Sequence, residues 1–313
     1  MISLDDIRAA AQRIAPHIRH TPVLELTAVS DPVTEAQLFL KLENLQCTGS
    51  FKARGATNKL LSQPPGAVSK GIVTASGGNH GLAVARAARS AGVPATVYVT
   101  ESATEEKREK LRRSGAEVKV LGKIWNEANE AALAQAERTG AAYFHPFADP
   151  MVVAGQGTVA LEFLDAVPNL DTVIVAIGGG GLISGMSVAL KALNPAIRII
   201  GIEPEGSPTL KASLDAGRVV RLESVTSKVA TMSCGETDPG VFALVRDNVD
   251  EIVLISDAEM EDAAAWLWFE LGIAADLSGA SAIAALRSGK ISLPADARAG
   301  ALVCGAGLDG VAL

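Results

Sequence analysis

The chain has 313 residues, of which 48% are hydrophobic and 20% charged, with a net charge of −7. That composition excludes a disordered or fibrous protein and suits one large α/β unit or two lobes. No basic run is present, which argues against a nucleic-acid partner, and no uninterrupted apolar stretch is long enough to span a bilayer.

Met1-Ile2-Ser3-Leu4-Asp5-Asp6 carries acids in place of a basic segment before an apolar run, so no signal peptide is expected. Ser3 to Ile18 has the spacing of an amphipathic helix, with Leu4, Ile7, Ala11 and Ile14 on one face. Thr21-Pro22-Val23-Leu24 starts an extended segment, because the residue before proline avoids helix. Gln37 to Glu43 reads as a strand, followed by the loop Gly49-Ser50-Phe51-Lys52-Ala53-Arg54-Gly55-Ala56 and a short helix over Ala53–Leu61.

The pattern then becomes strand, loop, helix. Strands are expected at Gly71–Ala75, Pro94–Val99 and Glu117–Leu121, with helices at His80–Ala91, Thr104–Arg113 and Trp125–Thr139. Phe144 to Pro150 breaks this rhythm and is a candidate hinge. Gly155-Gln156-Gly157-Thr158 opens a helix through Leu164. Further strands are expected at Thr172–Ile177, Arg198–Ile202, Glu251–Ile255 and Ala301–Cys304. Helices are expected at Leu182–Leu193, Pro208–Ala216, Val241–Asn248, Asp257–Leu271 and Ser278–Leu286. Alternation of this kind predicts an α/β protein of doubly wound parallel-sheet lobes. The expected division is a large domain of residues 1–66 and 150–313 and a small βαβ domain of residues 67–149.

In such folds ligands sit at the carboxyl ends of strands, where four loops of this chain fall. Lys52, flanked by small residues and an aromatic, is a candidate Schiff-base amine; partial burial would disfavour its charged form. Gly178-Gly179-Gly180-Gly181 joins a buried strand to a helix, and its bare backbone N–H groups can converge on a phosphate. The spacing fails for a dinucleotide, since Ile183 or Ser184 stands where a third glycine is needed. Ser76-Gly77-Gly78-Asn79-His80 also joins strand to helix and could hold a carboxylate, although a plain N-cap explains it as well. Cys304 ends an apolar strand; it is either an inert small hydrophobe or a group facing a ring nitrogen. The three cysteines, Cys47, Cys234 and Cys304, are far apart and form neither a metal-ligand spacing nor an even disulfide set. They point to a reducing, cytoplasmic setting.

Together these motifs resemble the fold-type II pyridoxal-phosphate enzymes, a tryptophan-synthase-β-like fold, and most closely their serine/threonine dehydratase branch. The resemblance covers nearly the whole chain. It implies pyridoxal 5'-phosphate as cofactor, a small amino-acid substrate, a homodimer, and no nucleic-acid or membrane partner. By that resemblance Lys52 would form the Schiff base and later move the substrate's α-proton, with Phe51 packed on the ring face. Asn79 would bond the cofactor's 3-hydroxyl, and Ser76, Gly77, Gly78, Asn79 and His80 would bind the substrate carboxylate. Gly178, Gly179, Gly180, Gly181 and Leu182 would cradle the phosphate, and Cys304 would face the pyridine nitrogen. The implied reaction is β-elimination from threonine, serine or a 3-hydroxyaspartate-like compound, giving a 2-oxo acid and ammonia.

There are departures from the family pattern. Racemase relatives carry a serine where Gly77 stands, which favours dehydration over racemisation or β-replacement. The family's divalent-cation site, near Glu203, usually has a second acid where Thr209 stands, so no metal is expected. The usual Glu-Pro-x-Gly-Ala stretch reads Ala275-Asp276-Leu277-Ser278-Gly279-Ala280, and Ser233-Cys234-Gly235-Glu236 is similar to the diaminopropionate ammonia-lyase branch. A non-catalytic binding protein retaining the fold is the alternative of another class; the intact Lys52 argues against it. The chain stops soon after Cys304, so no appended regulatory domain is expected.

Overall fold

The computed structural model of the chain describes residues 2–123 and 125–311, so Met1 of the acidic N-terminal stretch lies outside them. Helix α1 (Leu4–Ile14) starts in a capping box: the Ser3 hydroxyl accepts from the Asp6 N–H, and Asp6 accepts from the Ser3 N–H at 2.8 Å. It ends short of the expected Ile18, because Pro16 sits in a 3-10 turn at Ala15–His17. Next come β1 (Val23–Glu25), β2 (Gln37–Leu42), α2 (Lys52–Leu61), β3 (Ile72–Ala75), α3 (Asn79–Ala91), β4 (Ala95–Val99), α4 (Glu105–Arg113), β5 (Ala116–Val120), α5 (Trp125–Thr139) and β6 (Ala142–Tyr143). The second half holds α6 (Pro150–Ala166), β7 (Thr172–Ala176), α7 (Gly181–Leu193), β8 (Arg198–Pro204), α8 (Thr209–Ala216), α9 (Pro239–Asn248), β9 (Glu251–Ile255), α10 (Asp257–Leu271), α11 (Leu277–Arg287) and β10 (Arg298–Val303).

Among the described residues the strands form a six-stranded sheet, ordered β1-β2-β10-β7-β8-β9, and a four-stranded sheet, ordered β5-β4-β3-β6. Both have the doubly wound parallel character expected, except that β1 is an antiparallel edge on β2. The last strand, β10, inserts between β2 and β7 and runs parallel to both. That insertion carries residues 304–305 to the same sheet end as the Lys52 loop. β7 is buried along its whole length, with Ile174, Ile200 and Leu40 among the fully enclosed side chains. Each such side chain contributes about 1.5–3 kcal/mol by leaving water.

Two expectations need correction. The helix expected to open at Gly155 begins at Pro150, where the Asp149 carboxylate accepts from the Met151 N–H at 2.8 Å. Gly155 and Gly157 lie inside it as close-packing positions: a Cβ at 155 would stand 2.7 Å from the Gly55 Cα, and one at 157 would stand 2.7 Å from the Gly185 carbonyl. They let α2 and α7 approach α6. The second correction is β6, which lies beside β3 where no element was expected and is too short to show periodicity. Among the described residues no helix is long and apolar enough to cross a membrane.

Candidate active site

After β2 two 3-10 turns, Glu43–Leu45 and Cys47–Gly49, bring the chain to Ser50. Ser50 bridges to Gly305, and the Phe51 N–H donates to the Cys304 carbonyl at 3.2 Å. α2 therefore opens against the end of β10, with Lys52 as its first residue. The Lys52 Nζ donates to the Pro146 carbonyl at 2.7 Å, and burial pushes its pKa down to about 8 from 10.5.

The first turn of α2 is fixed by a buried ionic group. Arg54 donates from Nε and Nη2 to both Glu43 oxygens, at 2.8 and 2.7 Å, and from Nη1 to Glu162 at 2.7 Å. Lys41 donates to the other Glu162 oxygen at 2.7 Å. Two cations meet two carboxylates, so the charge balances where water is excluded. Arg54 lies in the same helical turn as Lys52, so this group holds the amine in place.

The glycine turn runs from the end of β7 into the thirteen-residue α7. Gly180 has φ +93°, and a Cβ there would stand 2.5 Å from Val241 Cγ1. A Cβ on Gly181 would stand 2.7 Å from the Phe147 carbonyl, and one on Gly178 would stand 2.8 Å from the Thr231 carbonyl. The Thr237 hydroxyl donates to the Gly179 carbonyl at 3.1 Å, which braces the turn. The Pro146–Phe147 segment thus touches the Lys52 amine on one side and the glycine turn on the other. A half-buried, partly neutral amine near a turn packed so closely that only glycine fits, with backbone N–H groups opening α7, fits a ligand bearing an aldehyde and a phosphate.

At the start of α3 the Ser76 hydroxyl accepts from the Gly78 N–H at 3.3 Å. Gly77 and Gly78 have room around them, since the nearest atoms to an added Cβ are 3.6 and 3.7 Å away. His80 is placed otherwise than its side chain's polarity suggests. Its Nε2 bonds the Phe144 carbonyl at 3.1 Å, so that nitrogen carries the proton and Nδ1 is bare. Burial, then the Lys52 charge, push its pKa down to about 3, and the ring is a neutral part of the core. Asn79 Nδ2 donates to Asp276 Oδ2 at 3.0 Å, and a Cβ on Gly305 would stand 2.5 Å from that oxygen. The Cys304 thiol lies 3.6 Å from the Ser278 hydroxyl. Burial, with the Asp276 carboxylate beside it, pushes the thiol's pKa up, so it is neutral.

The structure brings Lys52, Phe51, Cys304, Asn79 and the glycine turn together through these shared neighbours; the His80 ring is turned aside. Sequence reading missed Pro146, Phe147 and Asp276 as parts of the site. It also missed His145, whose Nδ1 accepts from the Phe147 and Ala148 N–H groups at 3.2 and 2.9 Å. Burial, then Lys52, push the His145 pKa down to about 4, which leaves a neutral ring standing edge-on to Phe147 at 4.6 Å. The signal that was present was the break in rhythm from Phe144 to Pro150; a break at a strand's carboxyl end is where a doubly wound fold places its ligands.

Comparison with known proteins agrees with this geometry. The pattern of a family described as pyridoxal-phosphate dependent enzyme matches residues 14–305. An L-threonine ammonia-lyase of Thermotoga maritima is 42% identical over 286 residues, 91% of this chain and 71% of that protein. The solved structure of maize serine racemase superposes with a TM-score of 0.92 at 36% identity, covering 97% of this chain and 93% of that one. That of the threonine deaminase from T.th. superposes with a TM-score of 0.90 at 36% identity, covering 97% and 98%. The chain therefore belongs to the fold-type II pyridoxal-phosphate-dependent enzymes, and pyridoxal phosphate is its cofactor.

Proposed function

We propose that the chain catalyses β-elimination from a small β-hydroxy amino acid, with threonine the first candidate, serine and a 3-hydroxyaspartate next. The observation that carries this reading is the half-buried Lys52 amine, its pKa lowered to about 8, against the segment that also touches the glycine turn. The L-threonine ammonia-lyase and threonine deaminase relatives support the choice of substrate.

The bound cofactor supplies an aldehyde that condenses with amines and a ring that withdraws electrons from the substrate's α-carbon. Gly178 to Leu182 would hold its phosphate with backbone N–H groups at the start of α7. Asn79 would donate to its 3-oxygen, Phe51 would pack on its ring, and Cys304, a neutral thiol, would meet the ring nitrogen. The backbone from Ser76 to His80 orients the substrate carboxylate. Lys52 Nζ takes the α-proton. The β-hydroxyl leaves as water, and hydrolysis of the C–N bond yields ammonia and the 2-oxo acid. A neutral thiol at the ring nitrogen would hold no formal charge there, so charge on the substrate's α-carbon would be drained less and loss of the β-group favoured.

The likeness to maize serine racemase favours a second reading, exchange of α-carbon configuration. Gly77 weighs against it, since glycine has no group to return a proton on the opposite face. The lobe division at residues 66/67 and 149/150 is supported by the strands of the smaller sheet all falling between Ile72 and Tyr143. We also infer a homodimer in the cytoplasm. Three free cysteines and the exposed Phe269 and Leu308, 80% and 68% open to solvent, support it, and light scattering during gel filtration tests the dimer.

The deciding experiment is a screen of L- and D-hydroxy amino acids that measures 2-oxo acid, ammonia and enantiomer together. Oxo acid and ammonia in equal amounts are expected. Enantiomer without oxo acid would reverse the choice of reaction. Lys52→Ala is expected to bind the cofactor without a covalent link and to lose turnover.

A further inference from the structure

The Asn79 and Asp276 side chains meet across the cleft, one opening α3 in the smaller lobe and the other capping α11 in the larger. Asp276 Oδ2 accepts from Asn79 Nδ2 at 3.0 Å. Its other oxygen is already taken by two donors, the Ser278 hydroxyl at 2.6 Å and the Gly279 N–H at 2.7 Å. The approach is made possible by bare backbone, because a Cβ on Gly305 would stand 2.5 Å from Asp276 Oδ2 and 3.0 Å from Asn79 Nδ2. Asp276 is half-buried, and among the described residues no basic side chain pairs with it. Drawing a carboxylate partly out of water without a cation has a cost, and a cap alone does not need it, since serine or asparagine caps a helix as well. The reaction chemistry above does not use this group.

We propose that Asp276 is a positioning residue that fixes the Asn79 carboxamide with its nitrogen toward the cleft and latches the two lobes over the cofactor. An amide nitrogen carries two N–H donors and no acceptor. With one donor held by Asp276, the second is left for the cofactor's 3-oxygen. The amide cannot turn over, because its oxygen would then face a carboxylate oxygen. Cys304, Ser278, Asp276 and Asn79 form one chain of contacts, so the groups at the ring nitrogen and at the 3-oxygen are set relative to each other. The proposal rests on the reading of Asn79 as a cofactor contact.

Asp276→Asn tests it with almost no change of shape. The oxygen of the new amide stays with Ser278 and Gly279, so its nitrogen faces the Asn79 nitrogen, donor against donor. Asn79 must turn over and present an oxygen where a donor is needed. In the holoenzyme the variant is expected to keep the cofactor on Lys52, seen by mass after borohydride reduction. It should shift the visible absorption maximum or that band's pH dependence, and lose at least tenfold in kcat/KM. In an Asn79→Ala background the same substitution should change neither further. A spectrum and kcat/KM within twofold of wild type would overturn the proposal, as would full additivity with Asn79→Ala, whatever the thermal midpoint does. If Asp276→Asn does not fold, Gly305→Ala displaces the same oxygen and must give the same spectral change. Wild-type protein with no cofactor fixed to Lys52 would sink both this and the functional reading, whereas a loaded wild type beside an unperturbed Asp276→Asn would sink the positioning role alone.

Discussion

The Lys52 Nζ donates to the Pro146 carbonyl at 2.7 Å, a bond that ties the first residue of α2 to the loop leading into α6. A carbonyl is a weak counterpart for an enclosed cation, and burial lowers the amine's pKa from 10.5 to about 8. At pH 7 about one amine in ten is then neutral, against about one in three thousand at the ordinary value.

The same burial has a cost in stability, which Lys52→Met exposes in cofactor-free protein. Below about pH 8 the amine is charged in both folded and unfolded chains, so the penalty for enclosing it is complete. Between 8 and 10.5 the folded chain sheds the proton first and the penalty fades. The methionine variant is expected to be about 1–3 kcal/mol more stable at pH 7, with the difference shrinking toward pH 10. Urea unfolding at both pH values measures this. A difference that does not depend on pH would show that the amine is not desolvated.

Arg54 is held by Glu43 and Glu162 with both partners out of water or nearly so. Arg54→Met leaves Glu43 without its cation and is expected to cost about 3–5 kcal/mol in urea unfolding. Glu162→Gln keeps the shape but leaves buried Lys41 without its carboxylate while Arg54 stays paired with Glu43, so it too should destabilise. Because α2 begins at Lys52, variants that fold should also lose turnover. A loss below about 1 kcal/mol for Arg54→Met would mean that water reaches the group.

Much of this was legible from residue order. The apolar run from Thr172, closed by four glycines, reads as a buried strand entering a turn that no Cβ fits, and the structure has that arrangement. The start of α6 was not legible, because Gly155 and Gly157 look like helix openers and are instead contact points for α2 and α7, which lie elsewhere in the chain. Asp276 read as a departure from a family motif. Its partner Asn79 is 197 positions away, and only the fold joins them. Single-residue signals fail here because the site is made by two sheets meeting, while periodicity reports one element at a time.

On the proposed reading, Gly77 is the residue that favours elimination over configuration exchange. A Cβ there would have Ala103 Cβ at 3.6 Å and Val99 Cγ1 at 3.8 Å as its nearest neighbours, which is ordinary contact. Gly77→Ser is therefore expected to fold with a stability change within about 0.5 kcal/mol. The wild type should give oxo acid with no enantiomer of the substrate. The variant, with a hydroxyl added at the substrate loop, should form measurable enantiomer by chiral chromatography. Enantiomer from the wild type at a rate matching oxo-acid release would remove the role given to this glycine.

Glu203, near which the resemblance places a cation site, is committed within the protein. One of its oxygens accepts from the Leu210 N–H at 2.8 Å and the other from the Lys211 N–H at 2.9 Å. Thr209, at the position of the expected second acid, donates its hydroxyl to the Cys234 carbonyl. Dialysis against a chelator is accordingly expected to leave turnover and thermal midpoint unchanged, with no gain on adding magnesium. Burial pushes the Glu203 pKa up to about 7 from 4.5, while the N–H groups of α8 pull it back. A raised carboxyl pKa gives stability that is whole below 4.5 and is lost as pH rises through about 7. The wild type should thus lose stability relative to Glu203→Gln between those values, and Glu203→Ala, which frees two N–H groups of α8, should cost about 1–2 kcal/mol. Activity that falls with chelator and returns with magnesium would mean that Glu203 leaves the helix to bind the ion.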